Sequence, residues 1–235
     1  MNVFKGIFYY LNLAWVKFLL FLITSVEVID RENTPKKGPI IIVCNHLNNA
    51  DPPILTGTIP RRIYWLTKIE WFKKPVIGYM FRMAGMIPVK RFEADLHALR
   101  MCERALKKGW ALGMFPEGTR SKGGSLRPGE AGSALLALRT GAPILPVAIW
   151  GTENVKLPRD MIGRTRAHVR FGKTFVIPRK EKISREDVAE ANTTIMKSIA
   201  ALLPEKYRGV YADDGSPHPL APSPPPEADG RGEKE

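Results

Sequence analysis

The strongest constraint on the fold is the branched apolar run Ile40-Ile41-Ile42-Val43 and the segment that follows it, Asn45-His46-Leu47-Asn48-Asn49-Ala50-Asp51-Pro52-Pro53. Such a run reads as a buried strand, and a buried strand ends at the rim of a sheet, where open α/β folds place their chemistry. It therefore delivers His46 to that rim. Asp51 follows five positions later; on one continuous helix the two side chains would stand about 140° apart, on different faces. Asn48, Asn49 and the paired prolines predict a turn instead, with a helix starting at Pro52. A bent link folds Asp51 back onto the imidazole, so that its carboxylate accepts from one ring nitrogen and leaves the other to take a proton. The same residues admit a plainer reading, with Asp51 as a helix N-cap and His46 as an ordinary structural histidine.

The remaining apolar runs alternate between strand and helix patterns. Strands are predicted over 26–30, 39–44, 62–67, 85–91, 110–115, 142–150 and 166–171. Helices are predicted over 52–59, 92–109, 128–140 and 184–203, the last opened by a capping-box pattern, Ser184-Arg185-Glu186-Asp187. Ala94, His97, Ala98, Met101, Ala105 and Leu106 share one face of the second helix, which makes His97 structural. This alternation predicts an α/β fold, with a mixed, mostly parallel sheet covered by helices on both faces.

Formal net charge is +13, unevenly spread: residues 212–235 hold six acidic and two basic side chains, net −4, which leaves +17 on residues 1–211. The basic body attracts an anionic partner, and no recognised motif points to nucleic acid. The tail, 212–235, is Pro-rich and acidic and reads as disordered. Cys44 and Cys102 form no disulfide framework and no metal-type spacing, which fits a reducing compartment; the four scattered histidines suggest no zinc site. Residues 3–26 are apolar and aromatic and as one helix would rise about 33–36 Å, close to a bilayer core. Lys17 near the centre of a span would cost about 3 kcal/mol. The expectation is an N-terminal membrane-associated helix over 1–25 that lies in or dips into the surface.

Four stretches in order resemble the glycerophospholipid acyltransferase family, especially 1-acyl-glycerol-3-phosphate (lysophosphatidate) acyltransferases. They are Asn45 to Asp51, with His and Asp separated by four residues; Gly85-Met86-Ile87-Pro88-Val89-Lys90-Arg91; Phe115-Pro116-Glu117-Gly118-Thr119-Arg120-Ser121; and Ala142-Pro143-Ile144-Leu145-Pro146-Val147. The third is the most specific. The resemblance covers residues 26 to 175, within a domain expected over 26–211. Leu47 stands where the family often has a polar residue, and Lys90 where an Asp often precedes the Arg.

The resemblance implies transfer of a fatty acyl group from a thioester, on coenzyme A or acyl carrier protein, to the free hydroxyl of a lysophospholipid, giving phosphatidic acid from 1-acyl-glycerol-3-phosphate. The donor is a substrate; no cofactor is implied. It assigns catalysis to His46 and Asp51, and substrate binding to Arg91, Glu117, Gly118, Thr119 and Arg120. The chemistry agrees: a hydroxyl is a poor nucleophile until a base takes its proton, and guanidinium groups pair with phosphate. The enzyme would work against a lipid bilayer, at the cytoplasmic face. Residues 68–91 mix aromatics with cations, which suits a membrane-facing surface, the wall of an acyl-chain groove, or a core with a solvated rim. Competing readings are an acyltransferase for another lysolipid, a thiol hydrolase built on Cys44 and His46, and a non-catalytic membrane-binding module.

Overall fold

The computed structural model describes residues 24–90, 95–121, 123–155 and 165–212. The strands are β1 (Thr24–Ile29), β2 (Ile40–Cys44), β3 (Ile63–Lys68), β4 (Ile87–Val89), β5 (Ala111–Met114), β6 (Ile144–Trp150) and β7 (Thr165–Phe171). The helices are α1 (Asp51–Thr58), α2 (Pro75–Ala84), α3 (Leu96–Lys107), α4 (Ala131–Thr140) and α5 (Arg185–Ala200).

The seven strands form one sheet in the order β1-β7-β6-β2-β5-β3-β4. Only β6 and β7 run antiparallel; every other neighbouring pair is parallel. β2 is the middle strand, and all five of its side chains are fully buried. Side chains alternate across a strand. Ile41 and Val43 therefore enter the core under α3, α4 and α5, whereas Ile40, Ile42 and Cys44 meet Ile54 and Leu55 of α1 on the other face. The chain leaves β5 on one side of β2 and re-enters the sheet as β6 on the other, which makes the carboxyl end of β2 a topological switch point.

Proline lies inside β6 without disrupting it. Pro146 pairs with Val43 of β2, and its carbonyl accepts from Gly172, just beyond the end of β7. The missing N–H of Pro146 thus falls where β7 has already ended.

Several expectations shift. The expected N-terminal membrane helix lies outside the described residues, except that Thr24 and Ser25 belong to β1. Beyond Ala212 the expected tail is likewise outside them. Helix α3 begins at Leu96, capped by Asp95, whose side chain accepts from the Ala98 N–H at 2.9 Å. Its buried face is Ala98, Cys102, Ala105 and Leu106, and His97 is exposed rather than structural. The capping box of α5 is present in both directions. Helix α2 is new: Pro75 opens it, Gly85 at φ +80° closes it, and a 3-10 turn, Ile69–Lys73, joins it to β3. Among the described residues no helix is long and apolar enough to cross a membrane.

Candidate active site

The site begins where β2 leaves the sheet. Cys44 is the last paired residue. The Asn45 side chain then replaces one further rung of the ladder, donating to the Ile149 carbonyl at 2.7 Å and accepting from the Ile149 N–H at 2.8 Å. With its side chain held against β6, the main chain turns away and presents His46 at the carboxyl edge. The following turn is internally bonded. Asn48 Oδ1 accepts from the Ala50 N–H at 3.0 Å, and the Asn48 carbonyl accepts from the Asp51 N–H at 3.1 Å.

Asp51 is the first residue of α1, yet it does not cap that helix. Its carboxylate turns backwards. Oδ2 accepts from the main-chain N–H groups of Leu47 and Asn48, each at 2.7 Å, and lies 2.8 Å from His46 Nδ1. Asp51 is fully buried, and His46 keeps 7 % of its surface open. A carboxylate is an acceptor, so the imidazole proton sits on Nδ1 and Nε2 is the basic nitrogen. The geometry therefore rejects the helix-cap reading. Asp51 Oδ1 is buried with no hydrogen-bond partner among the described residues.

A second segment, the loop after β5, holds the histidine from below. Glu117 is 2 % exposed and follows β5 closely. Its Oε1 accepts the His46 main-chain N–H at 2.8 Å; its Oε2 accepts the Arg127 N–H at 2.9 Å and the Ser121 hydroxyl. The Ser121 N–H in turn donates to the His46 carbonyl at 2.7 Å. Both polar groups of the His46 backbone are thus fixed by one loop. Burial pushes the Glu117 carboxyl above its ordinary value, against the hydrogen bonds from Ser121, Arg127 and His46, which favour the charge. Phe115 adds an apolar wall. Its ring stacks on the imidazole at 4.1 Å and, on the side of β3, lies 5.1 Å from the Trp65 ring. Gly113 makes room for that indole: a Cβ there would lie 2.4 Å from it.

The remaining residues named from the sequence fall differently. Gly118 adopts φ +66° and closes a turn on the Phe115 carbonyl at 3.0 Å, a conformation suited to glycine. Thr119 is half-buried. Arg120 is exposed, one residue before the Ser121 that bonds to His46. Arg91 lies outside the described residues. Phe115, Ser121 and Asn45 sit inside the recognised stretches, but their contacts with His46 and β6 are set by the tertiary fold. Cys44 is fully buried, and its thiol is pushed well above its ordinary range, first by burial and then by the Asp51 and Glu117 charges. Both effects disfavour the thiolate that a thiol hydrolase would need.

A family model described as Acyltransferase matches residues 25–150, the span that contains the dyad and the Glu117 loop. The chain belongs to the Acyltransferase family. The chain is 34% identical over 148 residues to a 1-acyl-sn-glycerol-3-phosphate acyltransferase of Borreliella burgdorferi, covering 60% of this chain and 58% of that protein. It is 31% identical over 144 residues to the chloroplastic enzyme of the same name, BAT2, of Brassica napus, covering 60% and 42%. The chain thus spans about half the length of these two curated relatives. Its fold is similar to the crystal structure of the 1-acyl-sn-glycerophosphate (LPA) acyltransferase PlsC from Thermotoga maritima, with TM-score 0.62, 26% identity, and 80% and 78% of the two chains covered.

Proposed function

We propose that this acyltransferase moves a fatty acyl group from an acyl thioester, carried by coenzyme A or acyl carrier protein, to the free hydroxyl of 1-acyl-glycerol-3-phosphate, giving phosphatidic acid. The observation that carries the chemistry is the buried His46–Asp51 pair, Nδ1 to Oδ2 at 2.8 Å. The names of the relatives support the acceptor. His46 Nε2 takes the proton of the acceptor hydroxyl as its oxygen attacks the thioester carbonyl. Asp51 stabilises the imidazolium so formed. The tetrahedral intermediate collapses with loss of the C–S bond, and the departing thiolate takes the proton back from His46. Ester and free thiol leave, and no redox partner or metal enters the balance. Arg120, together with Arg91 as the resemblance implies, meets the acceptor phosphate through paired donors. The reaction takes place against the bilayer at the cytoplasmic face. A purely membrane-binding role leaves the buried dyad and the two main-chain donors to Asp51 unexplained.

The test is product identification by lipid mass spectrometry, using purified full-length protein, several lysolipids, and both donor types. Formation of phosphatidic acid from 1-acyl-glycerol-3-phosphate faster than any other product is expected. Faster acylation of a different lysolipid would reassign the acceptor, and no acylation with either donor would overturn the reading.

A further inference from the structure

Helix α2 carries an apolar stripe that faces away from the core. Val76, Tyr79 and Met80 follow helical spacing, so they line one side. They are 70%, 53% and 43% exposed, and Trp71 in the preceding turn is 41% exposed. The helix is nevertheless firmly seated by its other side. Gly78 lies so close to the turn that a Cβ would fall 2.4 Å from the Phe72 carbonyl oxygen. Phe81 meets Phe72 edge-on at 5.9 Å, and Met83 is buried. Four cations, Lys68, Lys73, Lys74 and Arg82, and a single anion, Glu70, border the stripe. Lys68 pairs with Glu70 at 3.6 Å. Lys74 sits over the Trp71 ring at 4.6 Å, and Lys73 adds, after the backbone and Lys68, to what holds the Glu70 carboxyl below its ordinary value. Contiguous exposed apolar side chains rimmed by cations fit the boundary between acyl chains and anionic headgroups.

The position agrees with that partner. The 3-10 turn starts where β3 ends, and β3 runs parallel to β5, whose carboxyl end leads to Phe115 and Glu117. The apolar stripe therefore begins at the same edge of the sheet as His46. We propose that residues 69–84 form a docking surface for an anionic lipid bilayer, inserting Trp71, Val76, Tyr79 and Met80 among the lipids while Lys73, Lys74 and Arg82 meet the headgroups. This goes beyond the acyl-transfer reading, because it concerns a surface outside the dyad and its test uses no turnover.

Cys44 and Cys102 are both buried, so an environment-sensitive fluorophore placed on a full-length Val76→Cys variant reports on that position alone. A Thr193→Cys variant, on the exposed face of α5, is the control. Phosphatidylcholine vesicles containing phosphatidylglycerol should raise the emission at position 76 several-fold and move it to shorter wavelength, with little change at 193. Adding Lys73→Gln and Lys74→Gln should raise the lipid needed about thirtyfold, since each basic residue near an anionic surface contributes about 1 kcal/mol. Four results would overturn the proposal. One is vesicle binding with no change at position 76, which would put attachment elsewhere, for instance in residues 1–23. Another is a shift already present without lipid, which would mean the stripe is covered by its own chain or a second copy. The others are an equal response to pure phosphatidylcholine and a response to acyl carrier protein alone.

Discussion

Glu117 Oε1 accepts the main-chain N–H of His46 at 2.8 Å, so the carboxylate after β5 holds the peptide that carries the base. Its partners are all protein groups: the His46 and Arg127 N–H groups and the Ser121 hydroxyl. We propose that Glu117 acts by positioning His46. An amide in its place has one acceptor oxygen and turns an NH2 group toward another donor, leaving a buried donor unsatisfied at about 1–3 kcal/mol. Glu117→Gln should lower kcat by up to about 100-fold through misplacement of His46, with little change in KM for the acceptor. A variant with raised acceptor KM and unchanged kcat would mean that Glu117 binds substrate directly.

The same carboxyl sets a pH dependence. Burial raises its folded-state value above the ordinary 4.5. The native state then binds more protons than the unfolded state between those two values, so the contribution of Glu117 to stability is fully present below 4.5 and is lost as pH rises through the raised value. Chemical denaturation of wild type and Glu117→Gln over a pH series reads this as a difference. Wild type should lose stability relative to the variant as pH rises across that window. A relative gain would contradict the raised value.

Arg120 is exposed beside the site. Arg120→Ala should raise the acceptor concentration needed for lysophosphatidate much more than for an acceptor lacking an anionic head, by roughly thirtyfold to a few thousandfold if the guanidinium meets phosphate in a desolvated complex. Steady-state kinetics on the two acceptors checks it. Equal damage to both would show that Arg120 supports the loop and not the phosphate.

How much of this could be read in the sequence depended on where each interaction lies. The middle strand was legible because Ile40 to Val43 are apolar on both faces, and the dyad because a turn-forming sequence separates His46 from Asp51. Glu117 stands out in the sequence, but its bond to His46 was opaque, because the partner is a main-chain group 71 residues away. Asn45 was opaque for the same reason: its side chain stands in for a ladder rung on a strand 104 residues distant. Helix α2 was missed although Pro75 and Gly85 mark its ends, since aromatics and cations are interleaved and its exposed apolar stripe does not mark a core face. His97 was misplaced because periodicity defines a broad face but not its edge, and position 97 falls on the solvent side.

The central claim is that His46 Nε2 removes the proton of the acceptor hydroxyl. It is tested most directly by the acyl-transfer rate of purified full-length His46→Ala at saturating lysophosphatidate and acyl thioester, alongside circular dichroism and thermal unfolding of the same sample. Leu47 and Asn48 still donate to Asp51 in that variant, so the turn persists. General-base catalysis contributes typically about 10²–10⁴-fold, and the rate should fall by at least that much while the fold is retained. A folded His46→Ala protein that transfers the acyl group within a few-fold of the wild-type rate would contradict the mechanism.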